Sequence, residues 1–228
     1  RESISERILR CFGDGKVDGE IHVRHRQGQL SAYFLTGLRI DTHEGPAMLG
    51  IGIDISARKA AEQSLLATSG RLERQNSALA EQARNPALRG EDLDAAYREI
   101  TRTAARTLGV SRASIWFYNN ERESLRCADL YDLPAGKHTA GLELCRADCP
   151  NYFEALATGR VIPAHYARND PRTRDFAENY LKPLGITSML DAPIRSEGRM
   201  VGVICHEHTG SPREWTLDEQ NFAGSMAD

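Results

Sequence analysis

Between Ala57 and Ala83 the chain has no proline and a single glycine, Gly70, and leucines recur every seventh residue at Leu65, Leu72 and Leu79. That spacing is the seam of a long helix, and Gly70 costs such a helix about 1 kcal/mol without breaking it. Ser56 is a good N-cap for it, with Asp54 in reach of Arg58 or Lys59, and Asn85-Pro86 ends it. At 1.5 Å per residue this rod is about 40 Å long, so it divides the chain into a piece before it and a piece after it. The other seam position falls on Ser69, Asn76 and Ala83, or on Thr68, Gln75 and Gln82 in the alternative register, all of them polar or small. The two registers are therefore near in energy. A solvated linker helix and a connector whose register shifts both remain open.

The first piece, residues 1–56, reads as a short helix around Ile4, Ile8 and Leu9, stopped at Gly13-Asp14-Gly15, followed by three strands. Ile21 to Arg26 alternates with period two, Leu30 to Ile40 and Met48 to Ile55 are strand-like, and His43-Glu44-Gly45-Pro46 is turn chemistry. Three meandering strands are marginal alone. Residues 57–88 are the linker helix, and a second domain is expected over 89–228. It opens on a helix whose apolar face is Leu93, Ala96, Tyr97, Ile100, Ala104 and Leu108, closed by Gly109. Strands follow at Ala113–Tyr118 and Leu125–Leu130, then a loop over Pro134–Asp148 and a helix from Pro150 to Gly159. After a short strand at Val161-Ile162, a helix is expected from Asp170-Pro171 to Leu184. A strand pair, Thr187–Ile194 and Met200–His206, turns at Ser196–Arg199, and a Thr216–Glu219 capping box opens a terminal helix. This is an α+β arrangement: an antiparallel sheet with helices at either end of the sequence and an inserted segment free to roof one face. A roofed sheet face is a natural small-molecule pocket.

Charge excludes some functions. Among 228 residues, 29 Lys and Arg against 32 Asp and Glu leave a net charge of −3, which gives no basic footprint for nucleic acid. No apolar run approaches the roughly 18–20 residues of a membrane span. Cysteines at 11, 127, 145, 149 and 205 form no CxxC pair, which suits reduced thiols and a cytoplasmic location. Arg1 at the start and a helical pattern still running at Met226-Ala227-Asp228 create the expectation that this is a piece of a longer protein.

The run Gly50-Ile51-Gly52-Ile53-Asp54-Ile55-Ser56-Ala57-Arg58-Lys59 resembles the end of a PAS domain, whose last strand finishes in D-I-[ST]-x-R-K and leads into a signalling helix. Gly19-Glu20 and His25-Arg26-Gln27-Gly28 are similar to the preceding hairpin. The likeness covers only the C-terminal part of such a domain, so it implies no PAS ligand site. Residues from about 91 to 228 resemble a GAF domain, most clearly in Tyr180–Ile194 and in Gly198-Arg199-Met200-Val201-Gly202-Val203-Ile204-Cys205-His206. The pattern is also similar to the chromophore-binding GAF domain of phytochromes. Where plant-type bilin binders carry Cys-His before the tyrosine, this chain reads Asp175-Phe176-Ala177-Glu178, so a covalent bilin is not expected. The cyclic-nucleotide signature N-K-x-F-x-D-E is not reproduced by Asn169 to Phe176 either. The resemblance implies a non-catalytic sensory region of a bacterial signalling protein. It also implies a homodimer through helices 57–83, 91–108 and 216–228 and an output domain elsewhere, a histidine kinase or a cyclic-di-GMP enzyme.

Candidate ligand-contacting residues follow from chemistry. Asp191 lies inside an apolar strand and must be solvated by a pocket or hydrogen-bonded. Arg168, Asp170 and Arg172 gather at an expected helix start, where backbone N–H groups favour anions. Trp116, Tyr118, Tyr152, Phe153, Tyr166, Phe176 and Tyr180 are candidate pocket aromatics, at least half of them expected in the plain core, and Met189 shares the Asp191 strand. Cys205-His206 ends a central strand, so metal or haem is conceivable, with hydrogen bonding inside the pocket as the alternative. Cys145 and Cys149, the latter before Pro150, could be redox-active or incidental. The expected partner is a small molecule of unassigned identity, with no cofactor assigned. A structural dimerisation module without a ligand, or a GAF-fold reductase of free methionine sulfoxide, are the other classes.

Overall fold

Alternating apolar residues and turn signals place two separate sheets in the chain. The computed structural model describes residues 4–26, 28–85 and 92–228. The break expected at Pro86 and the domain start expected at Arg89-Gly90-Glu91 lie outside the described residues. Two units divide at Arg71 and Leu72, within the long helix.

In the first unit α1 (Ile4–Asp14) precedes β1 (Lys16–Arg24), β2 (Leu30–Thr42) and β3 (Gly45–Asp54), an antiparallel meander in that order. Helix α1 lies on one sheet face, where Cys11 is buried against Gly37, Val17 and Met48. The strands are longer than their apolar alternation alone indicates, because ladder hydrogen bonds continue through polar residues such as Lys16, Asp18 and Thr42. The turn is tighter than expected: Gly45 and Pro46 are already paired with Thr42 and Asp41.

Helix α2 (Ser56–Arg84) starts in the first unit and ends in the second. Its cap differs from the expected one. The Ile55 carbonyl accepts the first helical bond, from Lys59, and Asp54 Oδ1 accepts from the Ser56 N–H at 2.8 Å. The Ser56 hydroxyl instead accepts from Ala32 N–H on β2, and Glu20 takes both Arg58 and Lys59. The buried residues of α2 are Gln75, Ala78 and Gln82, one helical face in its second half. Leu65 and Leu72 are exposed, while Leu79 packs into the core of the second unit.

The second unit carries the larger sheet. Helix α3 (Leu93–Leu108) is capped by Asp92, whose Oδ1 accepts from Ala95 N–H, and closed by Gly109 at φ 60°. Then come β4 (Arg112–Tyr118) and β5 (Ser124–Asp132), joined by a turn in which Asn119 Oδ1 accepts from the Glu123 and Ser124 N–H groups. The expected loop over Pro134–Asp148 holds two short strands, β6 (Lys137–Thr139) and β7 (Glu143–Cys145), both pairing β5. Helix α4 (Pro150–Thr158) and β8 (Ile162–Ala164) follow.

The helix expected from Asp170 to Leu184 is irregular: a 3-10 turn at Arg174–Phe176 runs into a π turn at Ala177–Leu181. Asp170 caps this start as a helix N-cap does, its carboxylate accepting from the Arg172 N–H and its carbonyl from the Arg174 N–H. The α-turn is not propagated: the Phe176 N–H bonds back to Thr173 and the Lys182 N–H to Ala177. The wider π turn then buries Phe176, Ala177 and Leu181 together. Strands β9 (Ile186–Ser196) and β10 (Arg199–Thr209) form a hairpin whose Glu197 and Gly198 both have positive φ. Helix α5 (Leu217–Ala227) opens on the Thr216–Glu219 capping box. The sheet order is β6-β5-β4-β10-β9-β8, every ladder antiparallel. Helices α3 and α5, with the end of α2, cover one face, and α4 with the 3-10 and π turns covers the other. The α+β reading holds.

Candidate functional site

Period-two alternation decides which side chains meet. On β9 and β10, Met189, Asp191, Val203, Cys205 and Glu207 point to the α4 face, and Leu190, Ala192, Ile204 and His206 to the α3–α5 face. Above the first set lies a cavity of about 390 Å³. Its floor is Trp116, Leu125, Met189, Val203, Cys205 and Glu207, and its walls are Tyr152, Cys149, Phe176 and Tyr180. Leu142, Glu143, Leu144, Asp148, Asp175 and Asn179 form its rim.

Two carboxylates are buried at its base. Asp191 is fully buried, and its Oδ2 accepts from the Tyr152 hydroxyl at 2.7 Å. Burial pushes the carboxyl up to about 7, against the opposing effect of that hydrogen bond. Glu207 accepts from the Tyr180 hydroxyl at 2.8 Å, and its Oε2 lies 3.3 Å from Arg112 Nη1. Burial raises it too, with the Arg112 guanidinium acting the other way. The tyrosines answer in kind: burial, and next the adjacent carboxylate, holds Tyr152 and Tyr180 above the usual phenol range. Cys149 is pushed up to about 12 by burial and the nearby Asp148, and Cys205 rises well above its ordinary value through burial beside Asp191.

Of the residues singled out from the sequence, Trp116, Cys149, Tyr152, Phe176, Tyr180, Met189 and Cys205 line this cavity, and Asp191 joins it through Tyr152. Phe153 is buried behind the wall, stacked edge-on with Tyr152. The others lie elsewhere. His206 faces the opposite core, its Nδ1 2.6 Å from the Leu190 carbonyl oxygen, because adjacent strand residues alternate faces; burial lowers it to about 4. Tyr166 is exposed at the surface. Arg168 donates to the Ile186 carbonyl, while Arg172 pairs with Asp170 and reaches the Pro163 carbonyl. Asp170 and Arg172 thus satisfy each other outside the cavity, at a capped turn that does not continue as the expected α-helix.

Sequence reasoning missed Glu207, Asp175 and the rim on β7. Glu207 was two positions beyond Cys205, so the same alternation could have found it. The rim could not be found this way, since no local pattern announces that β7 folds onto β5.

The sequence model of the GAF domain family matches residues 92–228. Comparison with curated proteins gave no match. Among solved structures, the chain is similar to the chromophore-binding domain of Stigmatella aurantiaca phytochrome, at 13% identity and a TM-score of 0.54, covering 91% of this chain and 71% of that one. It is similar to the phycocyanobilin-bound GAF domain of a cyanobacterial phytochrome at 19% identity, TM-score 0.52, covering 67% and 91%. It is also similar to the free methionine-R-sulfoxide reductase of Neisseria meningitidis, solved with its substrate, at 13% identity, TM-score 0.52, covering 69% and 83%. At these identities the likeness is one of fold. Through residues 92–228, which form the sheet, both helical layers and the cavity between them, the chain belongs to the GAF domain family.

Proposed function

We propose that the chain is the sensory and regulatory region of a bacterial multidomain signal-transduction protein, binding a small molecule in the GAF cavity and performing no chemistry itself. The observation that carries this reading is the alternation along β9 and β10. Met189 and Cys205 line the cavity, while their neighbours Leu190 and Ile204 pack in the same core as residues of α3 and α5. A ligand that shifts these strands therefore shifts the helices behind them. Two further bonds extend the path: Thr101 on α3 donates to Asp129 on β5 at 2.5 Å, and Gln75 on α2 donates to Asp218 on α5 at 3.3 Å. In the proposed protein, residues 1–56 are the end of a PAS domain and helices 57–83, 91–108 and 216–228 pair across a cytoplasmic homodimer. The output is a histidine kinase or a cyclic-di-GMP enzyme. Burial raises the thiols of Cys127, Cys149 and Cys205, which disfavours these three as nucleophiles, whereas Cys145 is exposed.

Native mass spectrometry of the protein purified from its host tests the proposal. A retained small molecule whose removal changes hydrogen exchange in α3 and α5 is the expected result. A ligand-free mass, with thiol-dependent turnover of free methionine sulfoxide, would reverse the reading.

A further inference from the structure

On the reading that the cavity is the ligand site, we infer that it takes an organic cation carrying N–H donors on an apolar or aromatic body, and discriminates against carboxylates and phosphates. Charge is the first observation. Among the described lining residues there are four carboxylates, on Glu143, Asp148, Asp175 and Glu207, and no lysine, arginine or histidine. Arg112 sits against Glu207 and over the Tyr180 ring and is not among the lining residues.

The second observation is independent of charge and concerns donors. The wall hydroxyls of Tyr152 and Tyr180 donate to Asp191 and Glu207, at 2.7 and 2.8 Å. The Trp116 indole N–H donates to the Ser114 hydroxyl and the Cys149 thiol to the Cys145 carbonyl. The tyrosine, indole and thiol donors are thus turned away from the cavity, which leaves the Asn179 amide as a donor on its rim. Glu207, 2% exposed, has an Oε2 that meets Arg112 as an ion pair at 3.3 Å and takes no hydrogen bond from a described residue. An anion here would meet like charge in a site of reduced dielectric and find few donors, which is doubly unfavourable. A cation with N–H groups supplies the hydrogen bond that Oε2 does not take from Arg112, and the Trp116 and Phe176 rings give its body an apolar, π-rich surface.

Benzamidinium, benzamide and benzoate, alike in size and shape, are the probes, titrated into the whole chain at neutral pH. The readout is the indole N–H resonances of Trp116, on the cavity floor, and Trp215, in the opposite core. Saturable shifts at Trp116 but not Trp215 are expected, about tenfold tighter for benzamidinium than for benzamide, weakened by salt and absent with benzoate. Asp175→Asn and, separately, Glu207→Gln should each narrow the gap between benzamidinium and benzamide; Asp175 is on the rim, so its variant tests the point should Glu207→Gln not fold. Benzoate binding at Trp116 as tightly as benzamidinium would overturn the cation assignment and leave the site standing. No saturable shift at Trp116 with any probe would overturn the site itself.

Discussion

Asp191 and His206 sit on neighbouring strands and opposite faces of one sheet, and burial disfavours the charged form of both, moving them in opposite directions. The Asp191 carboxyl is raised to about 7 in a setting shared with Tyr152, Cys205 and Glu207. The His206 ring is lowered to about 4, with Arg213 as a further unfavourable charge. Between about pH 4 and 6.5 the native protein holds a proton on Asp191 that the unfolded chain has released, so this residue makes stability fall as pH rises. Over the same window the unfolded chain protonates His206 and the native protein does not, so stability rises with pH. The two slopes oppose each other. Asp191→Asn should therefore tilt the pH dependence of unfolding free energy upward with pH, by up to about 1.4 kcal/mol per unit relative to the parent. His206→Gln should tilt it downward. Glu207, also raised, is present in parent and variants alike, so only the differences between slopes are compared. Urea unfolding at several pH values measures them, and parallel curves for all three proteins would refute the assignment.

At the scale of elements, the cavity floor depends on how closely β4 and β10 approach. Gly202 has no room for a side chain: a Cβ there would lie 2.2 Å from the Trp116 carbonyl oxygen and 2.9 Å from the Phe117 ring. Gly202→Ala should destabilise the second unit by about 3 kcal/mol, the upper end of overpacking, and displace Trp116. Thermal unfolding followed by tryptophan fluorescence reads both effects, and a parent-like midpoint would show that the strands can separate without cost. The elements themselves were largely legible. The α3 face with Gly109, the β9–β10 pair and the Thr216–Glu219 capping box are local signals, and each produces the expected element. The irregular roof was not legible, because its start carries ordinary helix signals at Asp170, and the 3-10 and π turns go with the long-range packing of Phe176, Ala177 and Leu181 in the core.

At the scale of the molecule, α2 leaves part of its leucine seam unused by its own chain. Leu65 and Leu72 are 71% and 41% exposed, whereas Leu79 is drawn into the core with α3 and α5. A dimer seam on this helix is thus confined to the stretch around Leu65 and Leu72. Leu72→Asp should convert the proposed dimer to monomer in light scattering with the second unit still folded, and an unchanged dimer mass would exclude the seam. The first unit also exposes apolar residues on the sheet face away from α1, where Leu38 pairs with Leu49 and Thr36 with Ile51.

The amino-acid sequence by itself determined the α+β class, the order of the main elements and the faces on which strand residues fall, because periodicity, caps and turns act over a few residues. It named Tyr152, Phe176, Met189 and Cys205, which the fold brings to one cavity, alongside Tyr166, Arg168, Asp170, Arg172 and His206, which the fold places elsewhere. Only the tertiary structure decided that β7 folds back on β5 to form the rim, that Asp170 and Arg172 neutralise each other outside the cavity, and that Glu207 completes its floor. Those outcomes turn on which distant groups satisfy a buried carboxylate or a free strand edge. The cost of leaving such a group alone is paid between segments far apart in the chain, so no local pattern records it.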